Sequence, residues 1–112
     1  MSKGQLKMAI LVKGEITITK GFATWKAMVK NNQNRMEKLG MVMLFAGVQK
    51  DDPTKLHVIM KFPDLEALQA FSANEELTEE RRQAGAVIES GVMTVMAEEE
   101  FLINFPAPFT VH

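Results

Sequence analysis

GMVMLFAG, residues 40–47, is apolar at every position between its two glycines. Met41, Met43 and Phe45 fall on one parity, and Val42, Leu44 and Ala46 fall on the other. A strand sends successive side chains to opposite faces, so a strand with this pattern has no polar side. Helices from the same chain can cover one face. The other face needs a different cover, and the rest of the sequence shows what kind.

Upstream lies FATWKAMVKNNQNRMEKLG, in which Trp25, Met28, Val29, Asn32, Met36 and Leu39 share one stripe at three- and four-residue steps. The spacing predicts an amphipathic helix that Gly40 stops. Further upstream, LKMAILVK (residues 6–13) places Leu6, Met8, Ile10 and Val12 on one parity and Lys7, Ala9, Leu11 and Lys13 on the other. This is a strand with one apolar face and one mixed face. GEITIT either extends it past a glycine kink or leads into the helix.

Downstream, KDDPTK supplies a turn and LHVIMKF (residues 56–62) a strand, so the two strands form a hairpin. Pro63 and Asp64 open a second helix with Leu65, Leu68 and Phe71 as its buried stripe. Ser72 and Glu75 have capping-box spacing, which predicts a break there and a restart running to about Ala84, with Gly85 as the stop. GVMTVMA (residues 91–97) is the fourth strand, prolonged into EEEFLINF.

The order β-α-β-β-α-β is a ferredoxin-like α+β fold, a four-stranded antiparallel sheet with two helices on one face. The opposite face then carries Ala9, Leu11, one apolar set from residues 41–46, Ile59, Val92 and Met96. Such a patch exceeds what monomers ordinarily expose. Burial at about 25 cal/mol per Å2 favours a second copy of the sheet packed face to face. The expected unit is one domain over residues 1–112, with an apolar, Pro-punctuated extension at 98–112 reaching toward the partner subunit.

Composition narrows the function classes. The chain has 13 basic and 14 acidic residues and no cysteine. No basic field exists to attract nucleic acid, and disulfides and thiolate chemistry are excluded. The run between Lys7 and Lys13 holds five apolar residues, short of the roughly 7–15 of a signal h-region. No stretch nears the roughly 20 needed to span a bilayer. A cytoplasmic protein with no membrane or nucleic-acid partner is expected.

The residues F-x-x-W (Phe22 and Trp25), KLGMVMLFAG, DDPTKLHVIMKF and DLEALQAF resemble the dimeric α+β barrel superfamily, over Leu6 to about Ala97. That group includes antibiotic-biosynthesis-monooxygenase-like proteins and muconolactone-isomerase-like enzymes. The resemblance implies a sheet-to-sheet homodimer. It also implies an Asn and a Trp around an aromatic substrate, as in cofactor-free monooxygenases, a pairing that Asn32 and Trp25 supply here.

Asn32 interrupts an apolar stripe, where an amide needs partners and could orient a bound carbonyl or phenol; the commoner explanation is that NNQN is the solvated side of a helix whose stripe bends. His57 shares its parity with Ile59 and Lys61, which places it on the face away from the helices. There it is either an acid, base or hydrogen-bond anchor of an inter-subunit cavity, or a histidine bonded to backbone or water. His112 is terminal and too remote to complete a metal-ligand set, so no metal is expected. Nor is a cofactor: phosphate-loop and dinucleotide motifs are missing.

Arg81 and Arg82 would cap an anionic substrate at the barrel mouth, or simply pair with the acidic residues before them. Glu98–Glu100 read as a solvated strand end. Trp25, Met28, Met36, Met41, Met43, Phe45, Met60 and Met96 are the expected pocket, large, soft and apolar. The leading expectation is a homodimeric binding protein for a small lipophilic molecule, acyl or aromatic. The alternatives are a cofactor-independent monooxygenase or isomerase using His57 and Asn32 on an aromatic or quinol-like substrate, and a structural or regulatory dimer without a cavity.

Overall fold

The computed structural model describes residues 9–96. Strands β1 (Ile10–Ile18), β2 (Val42–Gln49), β3 (Asp52–Phe62) and β4 (Ala86–Val95) form one antiparallel sheet in the order β2-β3-β1-β4. Helices α1 (Phe22–Asn31) and α2 (Gln33–Lys38) connect β1 to β2, and α3 (Leu65–Ala73) and α4 (Glu75–Gln83) connect β3 to β4. This is the ferredoxin-like arrangement expected from the sequence, with each helical segment broken into two.

Alternation explains the central strands. Ile10, Val12, Ile16 and Ile18 on β1 and Leu56, Val58, Met60 and Phe62 on β3 are buried against the helices, while Lys13 is exposed between them. GEITI continues β1 without a break. Gly14 sits where the strands crowd: a Cβ there would stand 2.9 Å from Val58 Cγ2.

In β2 the pairing changes within the apolar run. Val42 opposes Lys61 and Met43 opposes Met60, yet Phe45 opposes Ile59 and Ala46 opposes Val58. Leu44 is the extra residue of a β-bulge, which switches parity. Met43, Ala46 and Val48 therefore pack on the helix-side core, and Val42 and Phe45 fall on the far face, 47% and 43% exposed. Neither parity of residues 41–46 faces the helices throughout, so the far face carries fewer apolar residues of this strand than strict alternation gives.

The helix breaks have separate causes. At Asn32 the helical bonds of α1 end and those of α2 begin, since Asn32 N–H donates to Met28 and Val29 carbonyls while its own carbonyl accepts from Met36 N–H. The sequence periodicity runs through this break because the stripe continues across it. At the second break the cap is Asn74, whose side chain accepts from Leu77 N–H at 3.0 Å, whereas Ser72 lies inside α3. Asp64 caps α3 by accepting from Ala67 N–H. Gly40 and Gly85 end their helical segments with φ of 75° and 103°, a region that favours glycine.

Two strands start earlier than their periodicity suggests. β3 begins at Asp52, so the hairpin turn is only Lys50 and Asp51. β4 begins at Ala86 and contains a wide irregularity: Glu15 opposes Val92 but Thr17 opposes Val87. Ser90 bridges it, its hydroxyl accepting from Thr17 N–H at 2.9 Å and donating to the Val87 carbonyl at 2.7 Å. Leu6, Met8, the prolongation beyond Met96, Glu98–Glu100 and the extension at 98–112 lie outside the described residues.

Candidate ligand cavity

A cavity of about 50 Å3 lies between the sheet and the helices. Trp25 and Met28 reach it from α1, Met36 from α2, Phe71 from α3 and Arg81 from α4. The sheet contributes Leu56, Val58 and Met60 from β3, Met41 and Met43 at the start of β2, and the crowded stretch Gly14–Ile16 of β1. Gly91, Val92 and Met93 bound it beside the irregularity in β4. The cavity is thus formed within one chain, on the helix side of the sheet, away from the inter-subunit cavity expected beside His57.

Helical spacing explains the helix-side wall. Trp25, Met28 and Met36 are buried on the predicted stripe, and Trp25 stacks on Phe22 with ring centroids 6.2 Å apart. Of the eight residues expected to line a pocket, the structure brings six together: Trp25, Met28, Met36, Met41, Met43 and Met60. Phe45 is not one of them, because the bulge turns it to the far face. Met96 lines no part of it either; its N–H donates to the Leu11 carbonyl at 2.7 Å, closing the end of the β1–β4 ladder.

The two polar candidates are not brought together. Asn32 is 4% exposed, and its amide donates to the Met28 carbonyl at 3.0 Å and to Glu80 Oε1 at 3.3 Å. Its donors are thus occupied in tying the break after α1 to α4, and it does not line the cavity. His57 lies on the far face of the sheet. Its Nε2 is 2.8 Å from Gln49 Oε1 and its Nδ1 is 3.9 Å from Glu15 Oε1, with the imidazole about one-third exposed (35%).

The adjacent arginines diverge. Arg82 donates to Glu79 at 2.6 Å on the surface, and hydrogen bonds from Gln83 and then Arg82 hold the Glu79 carboxyl below its ordinary pKa. Arg81 instead turns into the cavity wall, its guanidinium carbon 5.3 Å from the centroid of Phe71. Desolvation lowers its pKa from the ordinary value, although a guanidinium remains charged at neutral pH.

Leu56, Val58, Phe71 and Arg81 are among the cavity residues that the sequence expectation leaves out. Leu56 and Val58 share parity with Met60, and Phe71 lies on the second helical stripe, so their inward orientation was readable even though their convergence was not. For Arg81 the sequence carries no such signal, because two adjacent arginines after an acidic run are indistinguishable without the helix's rotation.

Among the described residues, no group of three His, Cys, Asp or Glu is placed to hold a metal ion, and no helix is long and apolar enough to cross a membrane.

Comparison with known proteins places this geometry in context. Residues 12–98 match a family profile described as a domain of unknown function, DUF3764. No curated protein matches the sequence. A variant of SnoaB, a cofactor-independent oxygenase from Streptomyces nogalater, has a similar structure, with a TM-score of 0.62 and 11% identity over 86% of this chain and 98% of that one. A candidate antibiotic biosynthesis monooxygenase from Caulobacter crescentus is similar with a TM-score of 0.62 and 10% identity, over 82% and 91% of the two chains. A conserved protein from Methanosarcina mazei gives 0.60 and 13%, over 86% and 98%. At these identities the likeness is one of fold, that of the antibiotic-biosynthesis-monooxygenase-like α+β barrel proteins.

Proposed function

The chain belongs to the DUF3764 family, and from that premise we propose that it is a cytoplasmic homodimeric binding protein whose Met-rich cavity takes a small lipophilic molecule, acyl or aromatic. The observation that carries this reading is the wall itself: six methionines, Met28, Met36, Met41, Met43, Met60 and Met93, converge with Trp25 on one apolar space. Met is unbranched and polarizable, so its side chains can reshape around a guest. That matters because a cavity that holds benzene is about 150 Å3 and this one is about 50 Å3. An acyl chain and a ring alike therefore require the methionines to yield.

The homodimer reading is supported by the far face, where Val42, Phe45 and Val92 are 47%, 43% and 63% exposed. Sheet-to-sheet pairing about a twofold axis would remove them from water.

Thermal denaturation with short fatty acids and phenols, alongside native mass spectrometry of the purified protein, tests the binding reading. Ligand at a hundred times its Kd adds about 2.7 kcal/mol, a rise in Tm of several degrees for a domain of this size. No bound mass and no thermal shift with any of them would overturn it, leaving a dimer of structural or regulatory role.

The likeness of fold to SnoaB favours a second reading, a cofactor-independent monooxygenase or isomerase acting on an aromatic or quinol-like substrate held beside Trp25. Oxygen-dependent turnover of an anthrone-like compound tests it. If Asn32 orients the substrate by hydrogen bonding and His57 serves as its acid or base, alanine at either position lowers the rate about tenfold or more; unchanged rates remove those assignments.

A further inference from the structure

We propose that the cavity's ligand is a small lipophilic carboxylate, its charged group held by Arg81 and its apolar body lying among Trp25, Met28, Met36 and Met60. This rests on the reading of the cavity as a ligand site and gives that ligand its charge.

Arg81 lies half-buried in an apolar wall, its guanidinium against the Phe71 ring. Charges withdrawn from water are ordinarily paired. Among the described residues, no carboxylate lies within ion-pair distance of Arg81. The nearby acids are engaged elsewhere: Glu79 with Arg82 and Gln83, and Glu80 with the Asn32 amide. Glu15 borders the cavity, but its carboxylate reaches toward His57 on the other side of the sheet.

The ring of Phe71, 5.3 Å away, stabilises a cation by only about 0.5–2 kcal/mol, and among the described residues the guanidinium donors have no hydrogen-bond partner. Those donors form a planar fork that matches a carboxylate in bidentate fashion. One guanidinium balances one negative charge. A phosphate monoester, at about −1.5 to −2, would carry uncompensated charge into the apolar wall, which is why a carboxylate is preferred.

Trp25 is the chain's single tryptophan and lines the cavity, so its fluorescence reports binding. The test titrates the protein with two isosteric pairs, hexanoate against hexanamide and phenylacetate against phenylacetamide. The expected result is that each carboxylate binds about tenfold or more tightly than its amide, the scale of one charge-assisted contact. In Arg81→Met the ratio of carboxylate to amide affinity should fall to about one; Arg81→Lys should retain part of the preference, having the charge without the fork.

Equal affinity within each pair in the wild-type protein would overturn the proposal while leaving the cavity a ligand site. A carboxylate preference that survives in folded Arg81→Met would overturn the role of Arg81. Binding of no member of either pair would overturn the cavity reading and this proposal with it. Should Arg81→Met not fold, the wild-type comparison alone still decides for or against a carboxylate.

Discussion

Toward the helices, β1 and β3 present Ile10, Val12, Ile16, Ile18, Leu56, Val58, Met60 and Phe62, all buried. Toward the opposite side the same two strands present Lys13, Glu15, Thr17, Lys55, His57 and Lys61, with Leu11 and Ile59 among them. The exposed apolar residues of that side sit on the flanking strands, Val42 and Phe45 on β2 and Val92 on β4. The helix side is thus a continuous core, and the far side is a polar centre between apolar margins. Burial of the first decides whether the subunit folds. The second has a polar row, Glu15, His57 and Gln49, which the partner sheet of the proposed dimer would have to accommodate.

The largest effect is expected from truncating the largest of the fully buried side chains. Phe62 is fully buried and its ring centroid lies 5.7 Å from that of Phe71. Phe62→Ala should lower the unfolding free energy by about 3–5 kcal/mol, out of a total of roughly 5–15 for a domain. Urea denaturation measures this as a fall in midpoint at unchanged slope. A loss under about 1 kcal/mol would mean that the core does not run through this position.

Gly14→Ala probes the same face by overfilling. Glycine to alanine in a strand ordinarily gains stability, by about 0.4–1 kcal/mol through the unfolded chain. Here the new Cβ meets Val58 Cγ2 at 2.9 Å, and overpacking costs about 1–3 kcal/mol. The net change should therefore be a loss, and a gain in Tm would show that β1 and β3 have slack at this crossing.

How much of the two faces was legible in the sequence depends on how each strand keeps its period. β1 and β3 alternate strictly, so Ile10 and Val12, or Leu56 to Phe62, reveal their inward side by composition alone. β2 does not, because Leu44 is inserted as a bulge, and in a run that is apolar at every position a change of parity leaves no mark. Phe45 was for that reason expected in the pocket with Met41 and Met43. The methionine wall was readable because helical spacing fixes Trp25, Met28 and Met36 relative to one another. What put Phe71 and Arg81 opposite them is the packing of α3 and α4 on the sheet, which no local pattern encodes.

The cover over the core face should be less sensitive than the core. Asn74 starts α4 by accepting from Leu77 N–H, and Leu77 is fully buried. Asn74→Ala should cost about 1 kcal/mol, read as a shift in thermal midpoint. Ser72→Ala, at an exposed site within α3, should leave the midpoint unmoved. Reversed sensitivities would restore Ser72 as the cap.

The smallest effect on the subunit, and the one that separates the two faces, is expected at Phe45. Its ring lies along the strand over Gly47, where a Cβ would stand 3.0 Å from Phe45 Cζ, and it remains 43% exposed. A lysine there keeps its stem on the sheet and its ammonium in water, so the unfolding free energy of the subunit should move by no more than about 0.5 kcal/mol. Two copies of that lysine near a sheet-to-sheet interface would each lose hydration without an assured partner. Sedimentation of wild-type protein and Phe45→Lys at equal concentration should accordingly give a dimer and a monomer of similar melting temperature. A monomeric wild type would remove the partner sheet altogether. A Phe45→Lys protein as destabilised as Phe62→Ala would mean that Phe45 points into the core and that β2 carries no bulge.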